Sequence, residues 1–390
     1  MNYPETLAWI HGTERFGSRL GLGRMGRLLH LMGDPHLKVP YIHVAGTNGK
    51  GSTTTMIASA LTAGGFKTGK FISPFILEFR ERMQIDSEMI PEETLAALAT
   101  RLRPIAEEFK AAGDPPTEFE LVTVLGLTWF AEAGCDIAVL EVGLGGRLDA
   151  TNIIPPPLVA VITRIDYDHT AILGDTLAAI TGEKCGILKR GSTVICYPDQ
   201  EEEALAVIRR RAKEEDDPLI LPDRTALSVL SADLTGSRIL YRGQEIFIPL
   251  PGPHQVLNTI TAVEALNALS SSRFALPPSA IAAGIAAARF PARLELLRQS
   301  PPVLVDGAHN PNGGRALCEA LKALDLHDLT AVVGMLRDKD CLPVLRMMAP
   351  YCARMIITTV PNPRSCPAEE FAELARGVCR DITICPDCEE

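Results

Sequence analysis

No stretch of this 390-residue chain approaches the ~18 uninterrupted apolar residues that a membrane span requires. Met1–Arg15 lacks the basic-then-apolar layout of an export signal. Positive charge is not in excess either. The 38 Lys and Arg stand against 48 Asp and Glu, a formal net charge of −10, so the basic face that nucleic acid needs is missing. There is no low-complexity tract, and 46% apolar with 22% charged residues excludes a disordered chain. The expectation is a cytoplasmic monomer with small-molecule partners and neither membrane nor nucleic acid among them. An acidic chain can still carry a local cationic site for an anionic substrate. At roughly 100–200 residues per domain, the length implies two domains or three.

Ten cysteines are present, but a long chain without an export signal favours reduced thiols over disulfides. Seven lie at or after Cys318, and Cys385 with Cys388 forms a lone CxxC. Zinc needs about four ligands, and no second CxxC or paired His accompanies this one.

Strand-like and helix-like patterns alternate. Val39–Ala45 reads as a buried strand, Ser52–Gly64 as the helix after it and Lys67–Ile72 as a second strand. Helices are expected over Pro91–Ala112 and Glu118–Ala133. Asp136–Glu141 and Leu158–Thr163 are short apolar runs of the length of central parallel strands. This rhythm predicts a doubly wound α/β sheet. Ala226–Leu250, broken by Gly236-Ser237 and Arg242-Gly243, predicts a small antiparallel insertion. Helical patterns return at Gln255–Leu269 and Pro277–Ala288. A second α/β rhythm begins at Pro302–Asp306, with a helix near Gly314–Leu324 and strands near Thr330–Val333 and Arg354–Thr359. Phe290-Pro291-Ala292 is the expected joint, dividing a domain of residues 1–292 from one of 293–390.

The strongest local signal is Ala45-Gly-Thr-Asn-Gly-Lys-Gly-Ser-Thr53, between a strand and a helix. Glycines let the backbone curl into an anion-binding nest, and the helix adds its positive dipole end. Lys50 supplies a charge for phosphates, and Ser52 or Thr53 can reach a magnesium ion. The match to G-x-x-x-x-G-K-[ST] is imperfect, because Gly46 lies three residues before Gly49 and Gly51 separates Lys50 from Ser52. In open α/β sheets ligands bind beyond the carboxyl ends of the strands. Glu141 stands there, suited to magnesium or simply to accepting loop N–H groups. Gly143–Asp149 follows as a tight loop, and Asp166-Tyr-Asp-His169 ends the next strand, where His169 is as readily structural as functional. Lys184 is mute by itself; a helix-face lysine is the default.

Taken together, His43–Ser52, Ser73-Pro74 with Glu81-Arg82, Thr117-x-Phe119-Glu120, Glu141–Asn152, Asp168-His169, Glu183-Lys184, Gly252-x-His-Gln-x-x-Asn258, Pro291-x-Arg293-x-Glu295 and Asp306–Pro311 resemble, in order, the bacterial folylpolyglutamate synthase/dihydrofolate synthase family of the Mur ligase superfamily. The resemblance spans about residues 15 to 340. It implies a P-loop ATPase domain with a smaller Rossmann-like C-terminal domain, and an ATP-dependent amide ligase that joins L-glutamate to dihydropteroate or to a reduced folate. A carboxylate is a poor acylating agent, so ATP first converts it to an acyl phosphate, which the glutamate amine attacks. Phosphoryl transfer between anions needs charge neutralisation and exclusion of water more than covalent help.

The resemblance assigns Thr47, Asn48, Gly49, Lys50, Gly51 and Ser52 to the triphosphate, with Asn258, Arg293 and Asp306 as further nucleotide contacts. It gives Ser73, Glu141 and His169 to magnesium, leaves a potassium ion open, and matches Lys184 to a lysine carried as a carbamate. His309 falls beside the transferred phosphate. Leu20, Gly21, Leu22 and Gly23, then Thr117, Glu118, Phe119 and Glu120, then Leu148, Asp149 and Ala150, match the pteroate pocket. The second domain is implied to bind glutamate, with closure about residues 290–295. Three departures stand out. Phe75 takes the place of a usual His, and Ala292 that of a usual Gly, which is costly if the position needs positive φ. The chain also stops at Pro386–Glu390, where relatives continue with another helix and strand, so a shortened second domain is expected. The sequence leaves open a P-loop kinase or nucleotide hydrolase, and a non-catalytic nucleotide-binding protein.

Overall fold

The computed structural model describes residues 1–13, 21–337 and 339–387. It divides into two compact units. One comprises Met1–Ser228, Leu240–Phe247 and Leu257–Phe290, and the other Val229–Ile239, Ile248–Val256 and Pro291–Glu390. The second unit thus includes two short segments that lie N-terminal to the joint expected from sequence.

The first unit is built on an eight-stranded sheet in the order β4-β3-β2-β5-β1-β6-β7-β8. Its strands are β1 (Tyr41–Ala45), β2 (Thr68–Phe71), β3 (Met83–Ile85), β4 (Glu88–Met89), β5 (Ile137–Glu141), β6 (Val159–Ile162), β7 (Thr193–Cys196) and β8 (Leu219–Ile220). β2, β5, β1, β6, β7 and β8 run parallel, and β3 and β4 add an antiparallel edge. β1 and β5 are buried at all five positions each, the signature of central strands covered on both faces.

The helices are α1 (Tyr3–His11), α2 (Gly23–Leu31), α3 (Lys50–Ala63), α4 (Glu92–Ala111), α5 (Glu118–Glu132), α6 (Thr170–Leu173), α7 (Leu177–Lys184), α8 (Glu202–Glu215), α9 (Pro253–Asn267) and α10 (Pro278–Ala287). Side chains alternate across a strand, so each strand serves two cores. Phe71, Ala138 and Leu140 face Leu121, Leu125 and Phe130 of α5. Ala160, Ile162, Val194 and Cys196 pack with Ile180 of α7 and Leu205 and Ile208 of α8. α3 packs on β1, β2 and β5, and α10 packs on α3. That packing is close: a Cβ on Gly284 of α10 would lie 2.2 Å from the Ala60 Cα.

The chain leaves β1 through α3 toward β2 and leaves β6 through α7 toward β7, in opposite directions along the sheet. The carboxyl ends of β1 and β6 therefore form the crevice where such folds bind ligands. The insertion predicted over 226–250 is a three-stranded antiparallel sheet of β9 (Leu227–Asp233), β10 (Gly236–Tyr241) and β11 (Gln244–Ile248), in the order β11-β10-β9.

In the second unit, β12 (Glu295–Gln299) and β13 (Pro302–Val305) pair antiparallel. The run read as the start of the second α/β rhythm thus folds back on a strand that the sequence reading did not contain. A parallel sheet follows from β14 (Leu329–Val333), β15 (Cys352–Ile357) and β16 (Ile382–Ile384). α11 (Pro311–Ala323), α12 (Cys341–Met348) and α13 (Ala368–Arg376) complete the unit. Its core joins Val333, Met355 and Ile357 to Leu345, Phe371 and Ala372. None of the nine described cysteines forms a disulfide, and Cys388 lies outside the described residues. No described helix is long and apolar enough to cross a membrane.

Ala292 is buried with φ 52°, and Leu294 has φ 49°. The left-handed region crowds an L-residue's Cβ against its carbonyl, costing about 1–2 kcal/mol, and more for a β-branched side chain. Ala292→Val is expected to lower unfolding stability by about 2 kcal/mol. Ala292→Gly is expected to leave it level or raise it, and chemical denaturation of the three proteins side by side checks the order.

Candidate active site

The phosphate loop leaves β1 at Gly46, where a Cβ would lie 1.9 Å from Thr163 Oγ1. Only glycine lets the loop lie this close to the end of β6. The backbone N–H groups of Thr47 and Asn48 both donate to the Arg164 carbonyl, at 2.8 and 3.2 Å. Thr47 Oγ1 donates to the Asp166 carbonyl (2.9 Å) and accepts from the Asp166 N–H (3.0 Å). The amides of the first two cradle positions therefore anchor the loop to the segment after β6. Gly49, at φ 83°, caps α3, whose first intrahelical bond runs from Thr53 N–H to Gly49 O. The turn Gly49–Ser52 thus presents its N–H groups outside the helix ladder, at the positive dipole end. Asn258 of α9 lies over it, its Oδ1 2.4 Å from where a Gly49 Cβ would stand. Lys50 Nζ donates to the Thr47 carbonyl at 3.2 Å.

Two further lysines are buried nearby. Lys184, the last residue of α7, donates to the Gly46 carbonyl at 2.8 Å. Burial, and then the charge of Lys50, push its amine down to about 7. Lys70 in β2 is buried too and pushed down to about 8 by desolvation, against the opposing pull of Glu81 and Glu141. Glu141, the final residue of β5, accepts from Ser73 N–H at 3.1 Å, and its Oε2 stands 3.3 Å from the Cβ position of Gly51. Two of the three expected magnesium ligands, Ser73 and Glu141, are thereby adjacent, beside the first turn of α3. His169 stands half-exposed at the start of α6 with Nε2 3.8 Å from Asp168 Oδ2. Among the described residues no three His, Cys, Asp or Glu side chains converge as a metal cage. A sparse oxygen set suits magnesium, which takes one or two protein oxygens and completes its shell with substrate phosphates and water.

The three segments matched to a pteroate pocket differ in what their residues do. Leu20 lies outside the described residues. Gly21 and Leu22 lead into α2, which begins at Gly23. Thr117 and Glu120 form a capping box at the start of α5. Glu120 is also buried against Arg24, with Nε–Oε distances of 3.0 and 2.9 Å, and Arg24 reaches Asp114 at 2.6 Å. Glu118 lies 3.2 Å from His11 Nδ1 and 3.5 Å from Arg82. The Phe119 ring covers Gly143, whose Cβ would meet it at 2.5 Å. Leu148 and Ala150 flank Asp149, whose carboxylate accepts from Leu144 N–H (2.9 Å), Thr151 N–H (3.0 Å) and Thr151 Oγ1. Burial raises its pKa against those hydrogen bonds.

In the second unit, Asp306 accepts from the N–H groups of Leu294 and Ala308, both at 2.8 Å, while Arg293 Nη1 donates to the Ala292 carbonyl at 3.1 Å. His309 is exposed, with Nδ1 2.9 Å from the Gly307 carbonyl. The imidazole of the partly buried His254 is pushed down to about 4 by desolvation and then by Arg293.

Sequence reasoning missed Lys70, whose one available signal is a lysine inside an otherwise buried four-residue strand. It also missed Arg24, and it included His43 in a motif without giving it a role; that side chain is buried, with Nε2 2.9 Å from Thr151 Oγ1. The bond of Thr151 to Asp149 fixes Nε2 as the donor.

The Mur ligase middle domain family matches residues 44–266, and the Mur ligase glutamate ligase domain family matches residues 292–390. A folylpolyglutamate synthase of Lacticaseibacillus casei is 37% identical, over 98% of this chain and 91% of its own length. A dihydrofolate synthase/folylpolyglutamate synthase of Bacillus subtilis (strain 168) is 36% identical, over 95% and 88%. A solved FPGS–AMPPCP–folate complex superposes with a TM-score of 0.84 at 34% identity, covering 99% of this chain and 97% of that one.

The buried Arg24–Glu120 pair gives a direct test of which residues serve shape. Glu120→Ala leaves Arg24 paired with the half-exposed Asp114 and removes the capping bonds to Thr117, and is expected to cost about 3 kcal/mol in denaturant unfolding. The double variant Arg24→Met, Glu120→Leu removes both charges and is expected to recover the charge-pair part of that loss but not the capping bonds to Thr117.

Proposed function

This chain belongs to the folylpolyglutamate synthase/dihydrofolate synthase family of Mur ligases, and we propose from that premise that it couples ATP hydrolysis to amide formation between L-glutamate and the carboxylate of dihydropteroate or a reduced folate. The observation that carries the reading is the phosphate loop at the β1/β6 crevice, with Lys50, Lys184 and Glu141 around the first turn of α3. The folate carboxylate attacks the terminal phosphorus of ATP and ADP leaves. The glutamate amine then attacks the acyl carbon and phosphate leaves. The chain's own part is electrostatic: the α3 N-terminus and Lys50 hold the anionic tail while negative charge shifts along it. Ser73 and Glu141, with His169, are the residues to hold magnesium, which when bound supplies neutralisation of phosphate charge.

We assign Asn258, Arg293 and Asp306 to nucleotide contacts and His309 to the transferred phosphoryl group. Gly21–Gly23, Thr117–Glu120 and Leu148–Ala150 frame the pteroyl pocket, Glu120 and Asp149 by holding its walls. The second unit takes the incoming glutamate. Lys184 is carried as a carbamate. An amine pushed down to about 7 is largely neutral at pH 8, and only the neutral amine attacks carbon dioxide, releasing one proton.

The discriminating experiment is product mass from purified protein with ATP, magnesium, glutamate and either dihydropteroate or tetrahydrofolate. One added glutamate is expected with each, together with ADP release that depends on glutamate. ADP formed at the same rate without glutamate would instead mark a hydrolase. Lys50→Ala is expected to abolish turnover. With 13C-bicarbonate, a carbamate resonance is expected to grow as pH rises through about 7 and to be absent in Lys184→Met.

A further inference from the structure

The phosphate loop does not hold its own shape; the segment after β6 holds it. β6 pairs with β7 as far as Ile162 and Cys196, and the Tyr197 N–H still donates to the Ile162 carbonyl at 2.8 Å. Beyond that point β7 departs. In a regular strand the N–H and C=O of one residue point to the same neighbour. Thr163 breaks this rule. Its N–H donates to Ala45 O on the β1 side at 2.8 Å, while its carbonyl accepts from Gln200 Nε2 at 2.8 Å. The chain turns over there, and that turn aims the Arg164 carbonyl at the N–H groups of Thr47 and Asn48. The next amide, Ile165 N–H, faces Gln200 again and donates to its Oε1 at 3.0 Å.

One side-chain amide thus supplies a partner to the Thr163 carbonyl and to the Ile165 N–H, both turned to the side that β7 has left. Its orientation is fixed by chemistry, since a carbonyl needs the NH2 and an N–H needs the oxygen. Without Gln200, the turned-over segment would have a buried-edge carbonyl and an N–H to satisfy, and the cheapest repair is to flip back to regular strand. That flip would turn Arg164 O away from the phosphate loop.

We propose that Gln200 is a positioning residue for nucleotide binding: by clamping Thr163 and Ile165 it fixes the Arg164 carbonyl, and through it the Thr47–Asn48 turn of the phosphate loop. Gln200 acts through the backbone of residues 163–165. The inference rests on the reading that this loop holds the phosphates of ATP.

The test uses the full chain with Gln200→Ala and the isosteric Gln200→Glu, which replaces the NH2 by an oxygen facing the Thr163 carbonyl. Binding of Mg–AMPPCP is measured by calorimetry, KM for each substrate by kinetics, and exchange of the Thr47 and Asn48 amides in the free protein by hydrogen–deuterium exchange. Two hydrogen bonds of ordinary net strength correspond to about a thirtyfold loss of AMPPCP affinity. The expected pattern is that loss, a matching rise in KM for ATP, an unchanged KM for glutamate, and faster exchange at Thr47 and Asn48. Asp217→Asn is the control, because Asp217 accepts from Gly191 and Ser192 before β7 and so perturbs the same region without reaching the loop. Wild-type AMPPCP affinity and amide protection in both Gln200 variants would overturn the proposal and leave the phosphate-loop reading intact. So would an equal loss of affinity in Asp217→Asn. Absence of AMPPCP binding by the unsubstituted protein would overturn both.

Discussion

The missing side chain at Gly46 is the constraint on which the first unit's site depends. Thr163 Oγ1 occupies the space that any Cβ there would need. Because nothing stands between them, the loop after β1 rests directly on the end of β6, and five bonds follow at once. Thr47 and Asn48 reach the Arg164 carbonyl, Thr47 Oγ1 engages the Asp166 backbone, and the Gly46 carbonyl turns toward Lys184. A loop curled by flexible glycines alone would be an ensemble. Tied at these points it is preorganised, and preorganised dipoles cost little reorganisation when charge moves past them.

The electrostatics of the unit follow from that geometry. The chain as a whole is acidic, yet Lys50, Lys70 and Lys184 gather beside the crevice, two of them buried. Burial lowers the pKa of both amines; the charge of Lys50 adds to the effect at Lys184, while Glu81 and Glu141 oppose it at Lys70. The positive charge left beside the crevice is that of Lys50 and the α3 N-terminus, where an anionic ligand is favoured. The same burial that makes Lys184 costly to fold makes its amine nucleophilic near neutral pH.

Much of this architecture is written in the chain. Parallel central strands announce themselves as short apolar runs, and β1, β5 and β6 fall within a residue or two of where Val39–Ala45, Asp136–Glu141 and Leu158–Thr163 place them. The strand–glycine–lysine–helix order finds the phosphate loop. What periodicity does not carry is pairing across distance. β12 is invisible because Glu295–Gln299 lacks apolar alternation and becomes a strand only by folding against β13. α12 and α13 went unread because the stretch between β14 and the C-terminus has few capping signals: neither helix has a side-chain N-cap bond. The Gln200 clamp and the Arg24–Glu120 pair join residues 35 and 96 positions apart, with no local pattern at either end.

Motif residues also divide by what their atoms are already doing, a distinction that sequence cannot draw. Glu81 accepts from the N–H groups of Ile76, Leu77 and Glu78. Glu120 takes Arg24 and Thr117, Asp149 takes Leu144 and Thr151, and Asp306 takes Leu294 and Ala308. In each case both carboxylate oxygens are engaged by the chain itself. A carboxylate in that situation fixes a loop with charge-assisted bonds stronger than neutral ones. It cannot be replaced by its amide, because an amide offers NH2 where a second acceptor is needed. These four acids therefore meet the same exacting requirement as a residue that touches substrate, although their immediate work is to hold the backbone turns around the site. A sequence motif records the requirement, and only the hydrogen-bond partners reveal which kind it is.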